Sequence, residues 1–121
     1  MPRVVHFEIP VDDPERAASF YERVFAWKIA KWDGPEDYWM ITTGEADQPG
    51  INGGFQKRVG QGVTTNTIDV PSVDAYVSQV VKAGGKVALP KMAVPGVGYL
   101  AYCIDTEGNV FGMMESDESA K

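Results

Sequence analysis

The chain holds one histidine, His6, and two residues later a carboxylate, Glu8, inside the run VVHFEIPV. If that run is a strand, the two side chains share a face about 6.6 Å apart along it, within reach of one small molecule. The carboxylate could then act as a general base while the imidazole orients or protonates the same ligand. The competing structural reading bonds His6 to a neighbouring strand and leaves Glu8 at a cavity mouth. Other chemistries find little footing. A single histidine without a nucleophile elbow supplies no Ser/His/Asp or Cys/His arrangement. GINGG opens a strand rather than a helix, so it is no phosphate loop. Cys103 is the only cysteine, which rules out an internal disulfide, and its strand setting favours an inert structural thiol. Finally, DTEGNVFGMME reads as a tight turn feeding a strand whose middle position, Gly112, carries no side chain.

These residues need elements to hold them, and the chain supplies the same set twice. VVHFEIPV alternates as a strand, with Val5, Phe7 and Ile9 opposite His6 and Glu8. Asp13 can cap a helix that starts at Pro14, and Ala17, Phe20, Tyr21, Val24 and Phe25 recur at helical spacing as its buried stripe. WKIAKW, DYWMITTG and INGGFQK follow as three short strands. In the second half TTNTIDV is a strand and Ser72 a cap. Val73, Tyr76, Val77, Val80 and Val81 form a stripe that ends at Gly84-Gly85. KVALP, GYLAYCI and NVFGMME complete a second βαβββ order. VGQG (59–62) is the expected join, and PKMAVPGVG (90–98) reads as a loop that could cover a site.

The quoted stretches resemble the vicinal oxygen chelate superfamily, which includes glyoxalase I, bleomycin-resistance proteins, fosfomycin-resistance enzymes and extradiol dioxygenases. HFEIPVDDPERAASFYERVFAWKI, IDVPSVDAYVSQVVKAGGKV and the ending DTEGNVFGMME carry the resemblance over nearly the whole chain. It implies an α+β fold of two βαβββ modules forming a curled, open, barrel-like mixed sheet with helices outside. Residues 1–121 are then one domain, with module one at about 3–58 and module two at about 63–117. It also implies four metal-ligand points, one on the first and one on the last strand of each module, commonly His or Glu. In this chain those points are His6, Gly54, Thr65 and Gly112. One plausible ligand of four survives, fewer than the three protein ligands a catalytic metal ordinarily needs. No cofactor is expected, and a divalent metal, which an enzyme of this kind would have to recruit through other ligands, is disfavoured.

Strand parity places His6, Glu8, Asn52, Gln56, Thr65, Thr67, Val110 and Met114 on a cavity face, where Gly54 and Gly112 leave room for a ligand. Trp32, Tyr38, Trp39, Tyr99 and Tyr102 could add stacking surface. The reading is a small-molecule-binding protein of glyoxalase/bleomycin-resistance type without the metal quartet. Its rival is a lyase or dioxygenase-type enzyme of the same superfamily, acting on a small carbonyl or aromatic substrate through His6 and Glu8. A third possibility is a structural or partner-binding domain with a collapsed cavity. A net charge of −6, with no basic run longer than Lys57-Arg58, argues against nucleic acid and anionic membranes. No apolar signal core or spanning run is read, and the lone cysteine makes a reducing cytoplasm the expected home. Exposed sheet edges lead us to expect a homodimer.

Overall fold

Asp12 and Asp13 break the alternation of the first strand, β1 (Arg3–Val11), and Asp13 starts the helix that follows. Its carboxylate accepts the Arg16 backbone N–H at 3.1 Å, and Pro14 takes the first helical position, where no N–H is needed. That helix, α1 (Pro14–Phe25), ends on Ala26 in a left-handed conformation with φ 60°. Then come β2 (Lys28–Lys31), β3 (Tyr38–Thr42) and β4 (Asn52–Lys57). The second half runs β5 (Thr65–Asp69), α2 (Val73–Lys82), β6 (Lys86–Val94), β7 (Gly98–Ile104) and β8 (Val110–Ser116). Ser72 caps α2 as Asp13 caps α1, accepting the Ala75 N–H at 3.2 Å. This computed structural model describes residues 2–60 and 62–121. The expected join at 59–62 includes Gln61, which lies outside the described residues.

The fold is α+β, built as the two βαβββ modules that the sequence order implies. The chain divides into two compact units, residues 6–64 and residues 65–121 together with residues 1–5. In the first, the strand order is β2-β3-β4-β1, with β1 and β4 parallel and the other pairs antiparallel. In the second it is β6-β7-β8-β5, with β5 and β8 parallel. Each strand of one module therefore has a counterpart at the same place in the other, so the repeat read from periodicity is a repeat of topology.

Each module buries the strand face on which its helix packs. Val11, Ile41 and Phe55 are buried in the first, with Phe7, Ile9, Ala17, Ala18, Tyr21, Trp27 and Trp39 packed against them. In the second, Val70, Val73, Ala101, Cys103 and Met113 form the centre, flanked by Tyr76, Val77 and Val80 of α2. Burial pushes the Cys103 thiol up, consistent with a structural role. The stripe expected on α1 is only partly buried. Ala17 and Tyr21 face the strands, whereas Phe20, Val24 and Phe25 remain more than half exposed. Phe20 and Val24 lie on the edge of the arc that Ala17, Tyr21 and Ala18 turn to the strands, and Phe25 is the last residue of the helix.

Residues 90–98 are not a covering loop. Pro90 to Val94 extend β6, a tight turn closed by Val97 N–H to the Val94 carbonyl at 2.9 Å follows, and Gly98 opens β7. Pro90 is tolerated because β6 lies at the end of its module's strand order. Among the described residues, no helix is long and apolar enough to cross a membrane.

Candidate functional site

In the first module, the strand face turned away from α1 collects the residues singled out by spacing. β1 and β4 run parallel with His6 opposite Asn52, Glu8 opposite Gly54 and Pro10 opposite Gln56. Partners in register share a face, so His6, Glu8, Asn52, Gly54 and Gln56 stand on one side and Phe7, Ile9 and Phe55 on the other. Glu8 is 7% exposed, although it is a carboxylate in a strand. His6 and Gln56 are half-buried, and Asn52 is exposed. Asn52 is also committed to the chain itself, because its carbonyl oxygen accepts the Thr43 N–H at 2.9 Å and so pins the end of β3.

The residue that sequence reasoning undervalued is Tyr38. Its hydroxyl lies 2.6 Å from His6 Nε2, and the two rings stack at 6.2 Å between centroids with 22° between planes. Register explains the reach. Tyr38 sits opposite Gln56 on β4, one pleat diagonal from Gly54, and leans its ring back over the glycine. A Cβ on residue 54 would run into the phenol. Gly54 was expected to leave room for a ligand. Instead, the space in front of it holds the Tyr38 ring. Trp32, half-buried, meets Tyr38 edge-on at 6.4 Å between centroids. Burial lowers the His6 pKa from its ordinary value, and the Glu8 charge opposes the shift. Near neutral pH His6 is therefore an uncharged imidazole with one donor and one acceptor nitrogen. The alternation of β3 was the available signal. Ile41 belongs to the buried face, so Tyr38 and Met40 must face the other way.

The second module builds a face by the same rule. Thr67 is opposite Gly112, Asp69 opposite Met114, and across the hairpin Tyr102 is opposite Gly112 and Leu100 opposite Met114. Thr65, Thr67, Gly112, Met114 and Val110 thus share the side turned from α2, as parity implied. The room expected at Gly112 is also reduced. An added Cβ would sit 3.2 Å from Thr67 Oγ1 and 3.3 Å from the Tyr102 ring, tighter than ordinary packing. In each module a tyrosine of the penultimate strand leans on the glycine of the last. Thr65 and Thr67 are buried at 7% and 3% exposure, and Thr65 Oγ1 has no hydrogen-bond partner among the described residues.

These residues do not suit a metal of the kind the resemblance implies. The last-strand points are glycines whose side-chain directions meet tyrosine, and the first-strand point of module two is a threonine. Among the described residues, no three of His, Cys, Asp and Glu gather as a metal would need. Two surface grooves lie elsewhere. One runs along Pro10, Asp13, Arg16, Phe20 and Arg58, and the other along Asp69, Pro71, Glu115 and Ser116. In the first, Arg58 pairs with Asp12 at 3.1 Å and donates to the Gly62 and Pro10 carbonyls.

Comparison with known proteins agrees with this architecture. Residues 3–44 match a family model described as bleomycin resistance protein-like N-terminal. None of the curated proteins matches the sequence. A hypothetical protein from Bacillus halodurans C-125 shares the fold with a TM-score of 0.74 at 14% identity, over 99% of this chain and 98% of that one. Methylmalonyl-CoA epimerase from Mycobacterium tuberculosis aligns with a TM-score of 0.70 at 10% identity, over 94% and 87% of the two chains. A Streptomyces coelicolor methylmalonyl-CoA epimerase variant, solved with 2-nitronate-propionyl-CoA, aligns at 0.69 and 12% identity over 98% and 97%. The family match thus covers part of the first module, and the likeness to the solved structures is one of fold over nearly the whole chain.

Proposed function

We propose that this chain, which has the glyoxalase/bleomycin-resistance fold, binds a small organic molecule on the His6–Glu8 face of its first module without the superfamily's metal quartet. One observation carries the reading: Glu8 is nearly fully buried on the sheet face opposite the helix-packed core, two residues from a half-buried His6. A buried carboxylate is costly to maintain and is seldom kept for packing alone. Gln56 adds a hydrogen-bonding group on the same face. In module two, Thr65, Thr67 and Met114 offer a smaller polar and apolar set, in which a buried hydroxyl with no partner among the described residues suits a ligand or water contact.

A second reading has its own support. An uncharged imidazole 2.6 Å from a phenol, two residues from a carboxylate, suits proton transfer at a small carbonyl or aromatic substrate, as in a lyase or isomerase. The two readings separate on turnover: the enzyme needs an activity that both His6→Ala and Glu8→Gln remove.

Thermal unfolding with benzaldehyde, catechol and benzylamine tests binding across the carbonyl, aromatic and cationic classes. A ligand at a hundred times its Kd adds about 2.7 kcal/mol to stability, enough for a clear rise in melting temperature. At least one probe should raise the midpoint of the native protein, and Glu8→Gln should diminish that rise. No rise with any probe, together with no change in the His6 NMR signals, refutes the proposal.

A further inference from the structure

Each of the two surface grooves lies where the parallel strands of one module end and its helix begins. In module two that place is filled from within. Glu115, near the end of β8, accepts the Val73 N–H at 2.9 Å and so seats a carboxylate beside the first turn of α2. Counting from the matched glycines, Gly112 and Gly54, the residue at this point of module one is Lys57, and Arg58 follows it. The helix has changed as well, because Pro14 stands where Val73 stands and has no N–H to offer. At this point module one has exchanged an internal anion for cations.

The groove of module one is open, with a volume of about 360 Å³, at the low end of what holds a small organic molecule. Its charges are unevenly committed. Asp12 is matched by Arg58, which also donates to the Gly62 and Pro10 carbonyls. Asp13 accepts the Arg16 backbone N–H at 3.1 Å as the cap of α1. The Arg16 guanidinium, by contrast, has no ion pair or hydrogen bond among the described residues. One turn along the helix from it, Phe20 is 55% exposed and meets Tyr21 edge-on at 5.1 Å between centroids.

We propose that this groove is a second binding site, lined by neither His6 nor Glu8, and that its ligand is a small aromatic carboxylate. The planar fork of Arg16 matches a carboxylate, and Arg58 retains N–H groups beyond the bonds it already makes. Phe20 and Ala17 supply the apolar wall on which an aromatic body would lie. A cation gains less here, because one groove carboxylate is held by Arg58 and the other by the helix start. A carboxylate without a ring leaves Phe20 in water, and a ring without a charge leaves Arg16 unmatched.

Titration of the 15N-labelled full-length protein at neutral pH with benzoate, acetate, benzyl alcohol and benzylamine tests the assignment. Benzoate should shift the amide signals of Arg16, Ala17, Phe20 and Arg58 and leave the His6 side-chain signals in place. It should bind more tightly than acetate or benzyl alcohol, each of which has only half of the recognised chemistry, and more tightly than benzylamine. Arg16 is exposed, so Arg16→Gln should fold normally. That variant should weaken benzoate about two- to fivefold, the worth of one exposed ion pair, and flatten the dependence of its affinity on salt. Phe20→Ala should weaken benzoate and leave acetate unchanged. No shift of the groove signals up to the solubility limit of benzoate overturns the inference. So do shifts centred on His6, equal affinity for benzylamine, or undiminished benzoate binding in a folded Arg16→Gln. The reading of the His6–Glu8 face is decided separately, by its own probes.

Discussion

Adding one methyl at Gly54 should destabilise the protein only while Tyr38 is present. The three atoms nearest to a Cβ built on residue 54 all belong to the end of the Tyr38 side chain. Gly54→Ala must therefore swing the phenol aside. That motion loses the 2.6 Å bond to His6, about 0.5–1.5 kcal/mol net, and the edge contact with Trp32, about as much again. Against this, replacing glycine by alanine in a strand reduces the freedom of the unfolded chain and stabilises by about 0.4–1 kcal/mol. The balance is a net loss of roughly 1–2 kcal/mol. In a Tyr38→Ala background the obstructing ring is gone, so the same methyl should be neutral or stabilising by up to about 1 kcal/mol. The coupling between the two positions is then roughly 1–3 kcal/mol, well above the few tenths by which independent sites depart from additivity. Urea unfolding of the native protein, both single variants and the double variant, followed by tryptophan fluorescence at neutral pH, measures it directly. If Gly54→Ala costs the same in both backgrounds, the phenol is not what fills the space before Gly54, and the site geometry argued from it is wrong.

Two further outcomes follow from the same face. Because burial holds the His6 pKa below its ordinary 6.5, the unfolded chain takes up the imidazole proton first as pH falls. Stability should decline as pH drops below about 6.5 and level off once the folded-state pKa is passed. Compared between pH 7.5 and 5.5, the urea midpoint of the native protein should fall more than that of His6→Asn, and equal slopes would show that His6 does not titrate this way. For metal, protein purified without chelator should carry well under one equivalent of zinc, nickel, iron or manganese, since Gly54, Thr65 and Gly112 supply no ligand side chain suited to replace three. Elemental analysis near one metal per chain, with stabilisation that His6→Ala abolishes, would contradict that.

Much of the fold was legible because it rests on local rules. Asp13 and Ser72 announce helix starts through side-chain oxygens that accept backbone N–H groups three residues on. The alternation of VVHFEIPV puts Phe7 and Ile9 in the core and His6 and Glu8 opposite, as observed. The ends of β6 were less legible. Pro90 reads as a loop residue, yet a strand with a neighbour on one side only has N–H groups it need not donate, so proline is admissible there, whereas Pro95 does fall in the turn after the strand. The arc of α1 was overread for a related reason. Helical spacing identifies an apolar stripe but not the extent of the surface waiting for it: Phe20 and Val24 lie at the edge of the packed arc, and Phe25 closes the helix, so all three stay exposed.

The two glycines show why a site is harder to read than a fold. A missing side chain in a sequence looks like space. In a sheet, however, the position above a glycine is open to the cross-strand partner and to the diagonal neighbours, and a long aromatic ring on any of them can lie down over it. Gly112 is met by its direct partner Tyr102, and Gly54 by the diagonal Tyr38. Which neighbour does so depends on register, and register is a long-range property that spacing within one strand does not specify. In module one the ring brings a hydroxyl with it, and that hydroxyl lands on His6. The position where the resemblance would place an acidic metal ligand thus holds a phenol borrowed from the next strand. Replacing a charged ligand by a phenol keeps a polar atom beside the histidine while removing the negative charge that would attract a cation. On the binding reading proposed above, this face is expected to work through hydrogen bonds, and Tyr38 is the residue that sets it apart from the metal quartet the resemblance implies.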